Sequence, residues 1–124
     1  MSSKELDQAF VRIEQLAAGK SLPGLERSTS YRSPSLKVRK ALFARLKDEQ
    51  TLVLHCPSEQ KALLMDISPE IYFETAHYVG HPAVLIRLDV IADEELALRL
   101  EDAWRFKAPK RLASERPTAA PDPK

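Results

Sequence analysis

The stretch SLKVRKALFARLKDEQTLVLHCP, residues 35–57, decides the fold. Leu36-Lys37-Val38-Arg39 alternates apolar with basic side chains. That period of two marks a strand with one buried and one wet face. Ala41 to Leu46 and Thr51 to Cys56 read as further strands, joined by the polar link Lys47-Asp48-Glu49-Gln50. Links this short make antiparallel hairpins. With strict alternation, Leu36, Val38, Leu42, Ala44, Leu46, Leu52 and Leu54 face a helical layer. Lys37, Arg39, Phe43, Arg45, Val53 and His55 then point the other way.

Upstream, a helix is predicted from about Lys4 to Ala18, with Leu6, Phe10, Ile13 and Ala17 on one face. Ser2 and Glu5 have capping-box spacing, and Gly19 is the expected left-handed terminator. Pro23-Gly24 reads as a turn and Glu26 to Tyr31 as a strand, broken at Ser33-Pro34. Downstream, Ser58 is the expected cap of a second helix, with Ala62, Leu63, Leu64 and Ile67 as its inner side. Ser68-Pro69 ends that helix. A mixed segment, Ile71 to Val79, and the turn Gly80-His81-Pro82 lead to Ala83–Leu88. That nearly all-apolar run reads as a central strand, with Ala83, Leu85 and Arg87 outward. Asp93 is the expected cap of a last helix that buries Leu96, Leu100, Ala103 and Trp104 and stops at Pro109. The order α-β(3)-α-β(2)-α with an antiparallel sheet predicts an α+β two-layer sandwich. Residues 1–112 form one domain on this pattern. Residues 113–124, with three prolines and no large apolar side chain, read as a disordered tail.

The chain has 124 residues, enough for one buried core. Its single cysteine, Cys56, allows no internal disulfide and suits a reducing compartment. MSSKELDQ lacks the apolar run of a signal peptide, and no segment approaches the roughly 20 apolar residues that span a bilayer. A cytoplasmic location with no membrane partner is the expectation. Net charge is only +1, yet Arg27, Arg32, Lys37, Arg39, Lys40, Arg45 and Lys47 follow one another with no acid between them. Asp89 to Asp102 is the reverse, with Arg99 as its one cation. A basic side and an acidic side are predicted.

Few residues ask for catalysis. His77 and His81 are four apart, but Gly80 and Pro82 break any helix there, and only Glu74 is near; no metal or cofactor is expected. Cys56 and His55 alternate to opposite faces, so Cys56 reads as a buried, inert thiol. No G-x-S-x-G elbow or Gly-rich phosphate loop occurs among three glycines. A non-enzymatic role is expected. Cations beside aromatic side chains on a sheet face suit nucleic acid, or a protein partner.

The segments LPGLERSTSYRSPSLKVRKALFARL, TLVLHCP, PEIYFETAHYVGHPAVLIRL and LEDAWRFKAPKRL resemble the MmcQ/YjbR family from about Leu22 to Leu112. The resemblance rests on S-Y-x-x-P with K-V, then H-Y-x-G-x-P-x-V. It implies a fold like that of bacterial frataxin and type III secretion chaperones, and a DNA-binding role. The family pattern falls here on Tyr31, Pro34, Lys37, Phe43, Pro69, His77, Tyr78, Pro82 and Trp104. Arg32 stands where glycine is usual, Lys40-Ala41 where Gly-Lys is usual, Ala76 for proline, His81 for tyrosine and Ala83 for tryptophan. The nominated DNA contacts are Arg32, Lys37, Arg39, Lys40, Arg45 and Arg87. A protein-interaction or chaperone-like adaptor is the alternative. A ligand pocket is nominated at Tyr31, Lys37, His77 and Tyr78.

Overall fold

The computed structural model describes residues 3–30 and 32–114. Helix α1 is Ser3–Gly19. Four strands follow: β1 Leu25–Ser30, β2 Ser33–Val38, β3 Ala41–Asp48 and β4 Thr51–His55. Then come α2 Ser58–Ile67, β5 Tyr72–Phe73, a short 3₁₀ turn at Ala76–Tyr78, β6 Ala83–Arg87, α3 Asp93–Lys107 and α4 Lys110–Ala113. The fold is α+β, as expected. The six strands form one antiparallel sheet in the order β1-β2-β3-β4-β6-β5.

Four strands precede α2, one for each of the segments read at 26–31, 36–39, 41–46 and 51–56, where the expected order has three. Ser33-Pro34 starts β2 instead of breaking β1. Pro34 pairs with Thr29 of the edge strand, and the β2–β3 ladder begins only at Ser35. The missing proline N–H therefore removes no bond to β3. The chain reverses between Ser30 and Ser33 instead. Arg32 takes φ 64°, the left-handed conformation that glycine adopts without strain.

The helices cover one sheet face. Phe10, Ile13 and Ala17 of α1 and Leu96, Leu100, Ala103 and Trp104 of α3 are fully buried against Leu36, Val38, Leu46, Leu54, Val84 and Ile86. Large apolar side chains sealed in this way contribute about 1.5–3 kcal/mol each. Polar groups at the margins are paired. The Arg12 guanidinium donates to Asp93 Oδ1 at 2.6 Å and to the carbonyls of Leu88 and Ile91, tying α1 to the start of α3. Trp104 Nε1 donates to the Pro23 carbonyl at 2.9 Å.

Strict alternation fails twice in the deciding stretch, at Lys47 beside the β3–β4 turn and, with more consequence, at Phe43. Leu36 pairs with Ala44, but Lys37 pairs with Leu42. Phe43 is the extra residue of a β-bulge, which shifts the parity of the strand. Phe43 and Ala44 are therefore both buried in the main core, and Leu42, not Phe43, lies on the outer face. The caps also differ from expectation. Gly19 lies within α1, and Ser21 supplies the positive φ beyond it. Pro57 and Ala92 are the N-cap residues of α2 and α3, so Ser58 and Asp93 are the first helical residues. In α2, Ala62, Leu63 and Ile67 are exposed, and the residue turned inward is Lys61. The Ser2 cap and residues 115–124 of the expected tail lie outside the described residues, while Ala113 closes α4.

Candidate functional site

The outer sheet face is built by register. Ser35 pairs with Arg45, Arg45 with Val53, Val53 with Leu85, and Leu85 with Phe73. Partners in a register share a face, so these side chains form one row across the sheet. His55 pairs with Ala83 and Thr51 with Arg87 on the same face. Val53, Ala83 and Leu85 are buried there as a second small apolar cluster, with Phe73 and Tyr78 packed on it. The outer face is thus partly roofed.

The roof is the segment between β5 and β6. Lys61 holds it from beneath. Its Nζ donates to the carbonyls of Tyr78 at 2.7 Å and His81 at 3.0 Å, and pairs with Glu74 Oε1 at 2.6 Å. Three acceptors for three N–H groups explain a lysine that is 5% exposed. Clamped in this way, the roof sets three rings together. The His77 and His81 rings stack with centroids 5.6 Å apart and planes at 19°. Tyr78 meets them edge-on at 4.8 Å and 6.0 Å. The Arg45 guanidinium reaches up from β3 and donates to Tyr78 Oη at 3.0 Å.

Roof and sheet enclose a concavity of about 430 Å³. Leu42 and Val53 form its apolar floor, and Arg45, His55, His77, Tyr78 and His81 its polar walls. All three histidines of the chain meet here. Burial, then the positive charges of Lys107 and Arg45, push the His55 imidazole down to about 4. Its Nδ1 is buried and has no hydrogen-bond partner among the described residues. A groove of about 490 Å³ between α1 and α3 is larger but collects no comparable set of convergent donors.

The nominated cations divide by position. Lys37 and Arg45 are half-buried on the outer face. Arg87 is exposed there, with its guanidinium carbon 4.0 Å from the Phe73 ring centre. Arg32 sits at the β1–β2 turn, whereas Arg39 and Lys40 form the β2–β3 turn at the other end of β2. Arg39 faces Arg111 and Leu112 of α4. Of the nominated pocket, His77 and Tyr78 come together, Lys37 is not among the lining residues, and Tyr31 lies outside the described residues. His55 and His81 complete the concavity. Alternation in β4 signalled that His55 shares a face with Arg45, but nothing local signalled that the roof folds back over it. Cys56 is buried on the helix side, and burial pushes its thiol up to about 11, against the smaller opposing pull of Lys61 and Arg99. Among the described residues no three His, Cys, Asp or Glu side chains converge as metal ligands.

An antiparallel sheet with helices on one face and a cationic, ring-lined recess on the other defines a small α+β domain. The sequence model of the YjbR family matches residues 20–106, most of the chain, and the protein belongs to that family. Uncharacterized proteins of Mycobacterium bovis and Mycobacterium tuberculosis are 45% identical to it over 51 residues. That stretch is 41% of this chain and 39% of each relative, so the match spans well under half the length of the curated relatives. No solved structure matches the chain. Among the described residues no helix is long and apolar enough to cross a membrane.

Proposed function

We propose that this chain is a non-enzymatic, cytoplasmic nucleic-acid-binding module, with DNA as its ligand, that uses the outer sheet face and the turns at its ends. One observation carries this. Lys37 and Arg87 on that face, and Arg32, Arg39 and Lys40 at the turns, form no ion pair with any described acidic residue. On the helix side Arg12, Lys20, Arg27, Arg99 and Arg105 are paired, and Lys4, Lys107, Lys110 and Arg111 of the helices form no ion pair with a described acid. Paired cations cancel their field, and unpaired ones project it toward a polyanion. The exposed Arg87 guanidinium, 4.0 Å above the Phe73 ring, gives bases a flat cationic surface. The buried, poorly acidic Cys56 thiol favours binding over thiol catalysis.

Fluorescence anisotropy with labelled duplex and single-stranded DNA, run as a salt titration, tests this. The slope is expected to be about 0.9 per phosphate engaged on duplex. Lys37→Gln with Arg87→Gln lowers it by about 2. Arg27→Gln, which removes a cation already paired with Asp7 and Glu14, leaves it unchanged. Absence of binding at low salt ends the proposal. A protein-interaction adaptor is the second reading, favoured by Leu63 and Ile67 of α2. They lie one turn apart and are 56% and 66% exposed. A one-to-one partner that survives nuclease treatment, and is lost in the Leu63→Asp, Ile67→Asp variant, supports that reading.

A further inference from the structure

The recess under the roof differs from the rest of the outer face. Phosphate contacts along a groove need only exposed cations. This recess instead gathers Arg45, His55, His77 and His81 around one volume of about 430 Å³, with no carboxylate among its lining residues. The nearest acid of the roof, Glu74, is held by Lys61. Volumes of this size with an apolar floor and a few convergent polar groups are the dimensions of small-molecule sites. We infer that the recess binds a small organic anion in which a phosphate is joined to a flat ring.

Each half of that ligand follows from a feature of the walls. The Arg45 guanidinium lines the recess and places N–H donors there, one of its nitrogens donating to Tyr78 Oη. The imidazoles of His55, His77 and His81 line the same recess. A carboxylate has two oxygens for such a set, and a phosphate monoester has three terminal oxygens. Since Nδ1 of His55 is sealed, the nitrogen it can present to the recess is Nε2. The ring half follows from the near-parallel His77 and His81 rings, with Leu42 and Val53 beneath. A flat, partly apolar body fills the space beside such a wall. The inference does not depend on nucleic-acid binding. A phosphate on a flat base occurs both in a free mononucleotide and at a strand end, and the two sources separate experimentally.

The test follows the histidine ring resonances by NMR during titration with adenosine monophosphate, adenosine and inorganic phosphate. Adenosine monophosphate is expected to shift all three rings and to bind at least tenfold more tightly than either half. His77→Leu and His81→Leu replace exposed side chains, so the fold tolerates them, and each is expected to weaken binding tenfold or more. Arg87→Gln, outside the recess, leaves it unchanged. A 5′-phosphorylated oligonucleotide that competes better than its unphosphorylated twin, and better than the mononucleotide, assigns the site to strand ends; the reverse order assigns it to free nucleotide. Unmoved histidine rings, or phosphate binding as well as the nucleotide, overturn the inference. Salt-dependent DNA binding with silent histidines leaves the preceding proposal standing alone. Nucleotide binding without DNA binding leaves this one.

Discussion

The two faces of the same sheet follow different rules. On the helix side one continuous core joins α1 and α3 to the inner side chains, and Arg12 and Arg27 at its margins are tied to acids or carbonyls. On the outer side the apolar cluster is small, its roof hangs on one lysine, and several cations have no acidic partner among the described residues. Adjacent residues of one strand thus serve different ends. The inner face holds most of the fold, and the outer face carries exposed charge beside a small, roofed apolar cluster.

Val53 and Leu54 test this contrast most strongly, because they are neighbours on β4 with opposite facing. Both are almost fully buried. Leu54→Ala removes three carbons from the main core and is expected to cost about 3 kcal/mol. Val53→Ala removes two carbons from the small cluster, where the roof can settle, and is expected to cost about 1 kcal/mol. Urea denaturation measures both. Equal cost per removed carbon would break the comparison, because the outer cluster would then be packed as rigidly as the core.

The inner face was the more legible of the two. Helical spacing picked out Phe10, Ile13, Ala17, Leu96, Leu100 and Trp104, because burial against one sheet imposes one stripe per helix. The bulge at Phe43 was invisible, because an extra residue changes parity without changing composition. In α2 the pattern misled. Leu63 and Ile67 looked like an inner stripe, but the roof needed a buried donor, and Lys61 took the inward position. The recess was half legible. The alternation of β4 put His55 beside Arg45 on one face. That His77 and His81 lie over them depends on a long-range fold-back fixed by Lys61, which no local pattern records.

A pH titration sharpens the contrast next. The His55 imidazole is pushed from an ordinary value of 6.5 down to about 4. Between those values the unfolded chain holds a proton there that the folded chain does not. The contribution of His55 to stability is therefore complete above pH 6.5, falls as pH drops toward 4, and changes no further below that. The half-buried ring limits the effect to on the order of 2 kcal/mol. His55→Gln is expected to flatten the difference from wild type in that window, measured by urea denaturation at fixed pH steps. A wild-type curve already flat from pH 6.5 to 4.5 would show that the recess is open enough for the imidazolium to be solvated.

The smallest expected effect lies at the β2–β3 turn, where the outer face reaches its rim. Arg39 and Lys40 take φ values of 50° and 71°. A two-residue hairpin loop with both central φ positive ordinarily carries Asn or Gly. Each non-glycine residue there costs about 1–2 kcal/mol relative to right-handed backbone. Lys40→Gly relieves that strain, against the greater freedom that glycine has in the unfolded chain. A net gain of about 0.5 kcal/mol is expected, seen as a small rise in melting temperature. The same variant should lower the salt slope on DNA by about 1, because it deletes a turn cation with no acidic partner among the described residues. Higher stability with a lower slope would mean that the turn keeps a strained lysine for its charge. Higher stability with an unchanged slope would place Lys40 outside the interface and confine DNA contact to Lys37, Arg87 and their neighbours on the sheet.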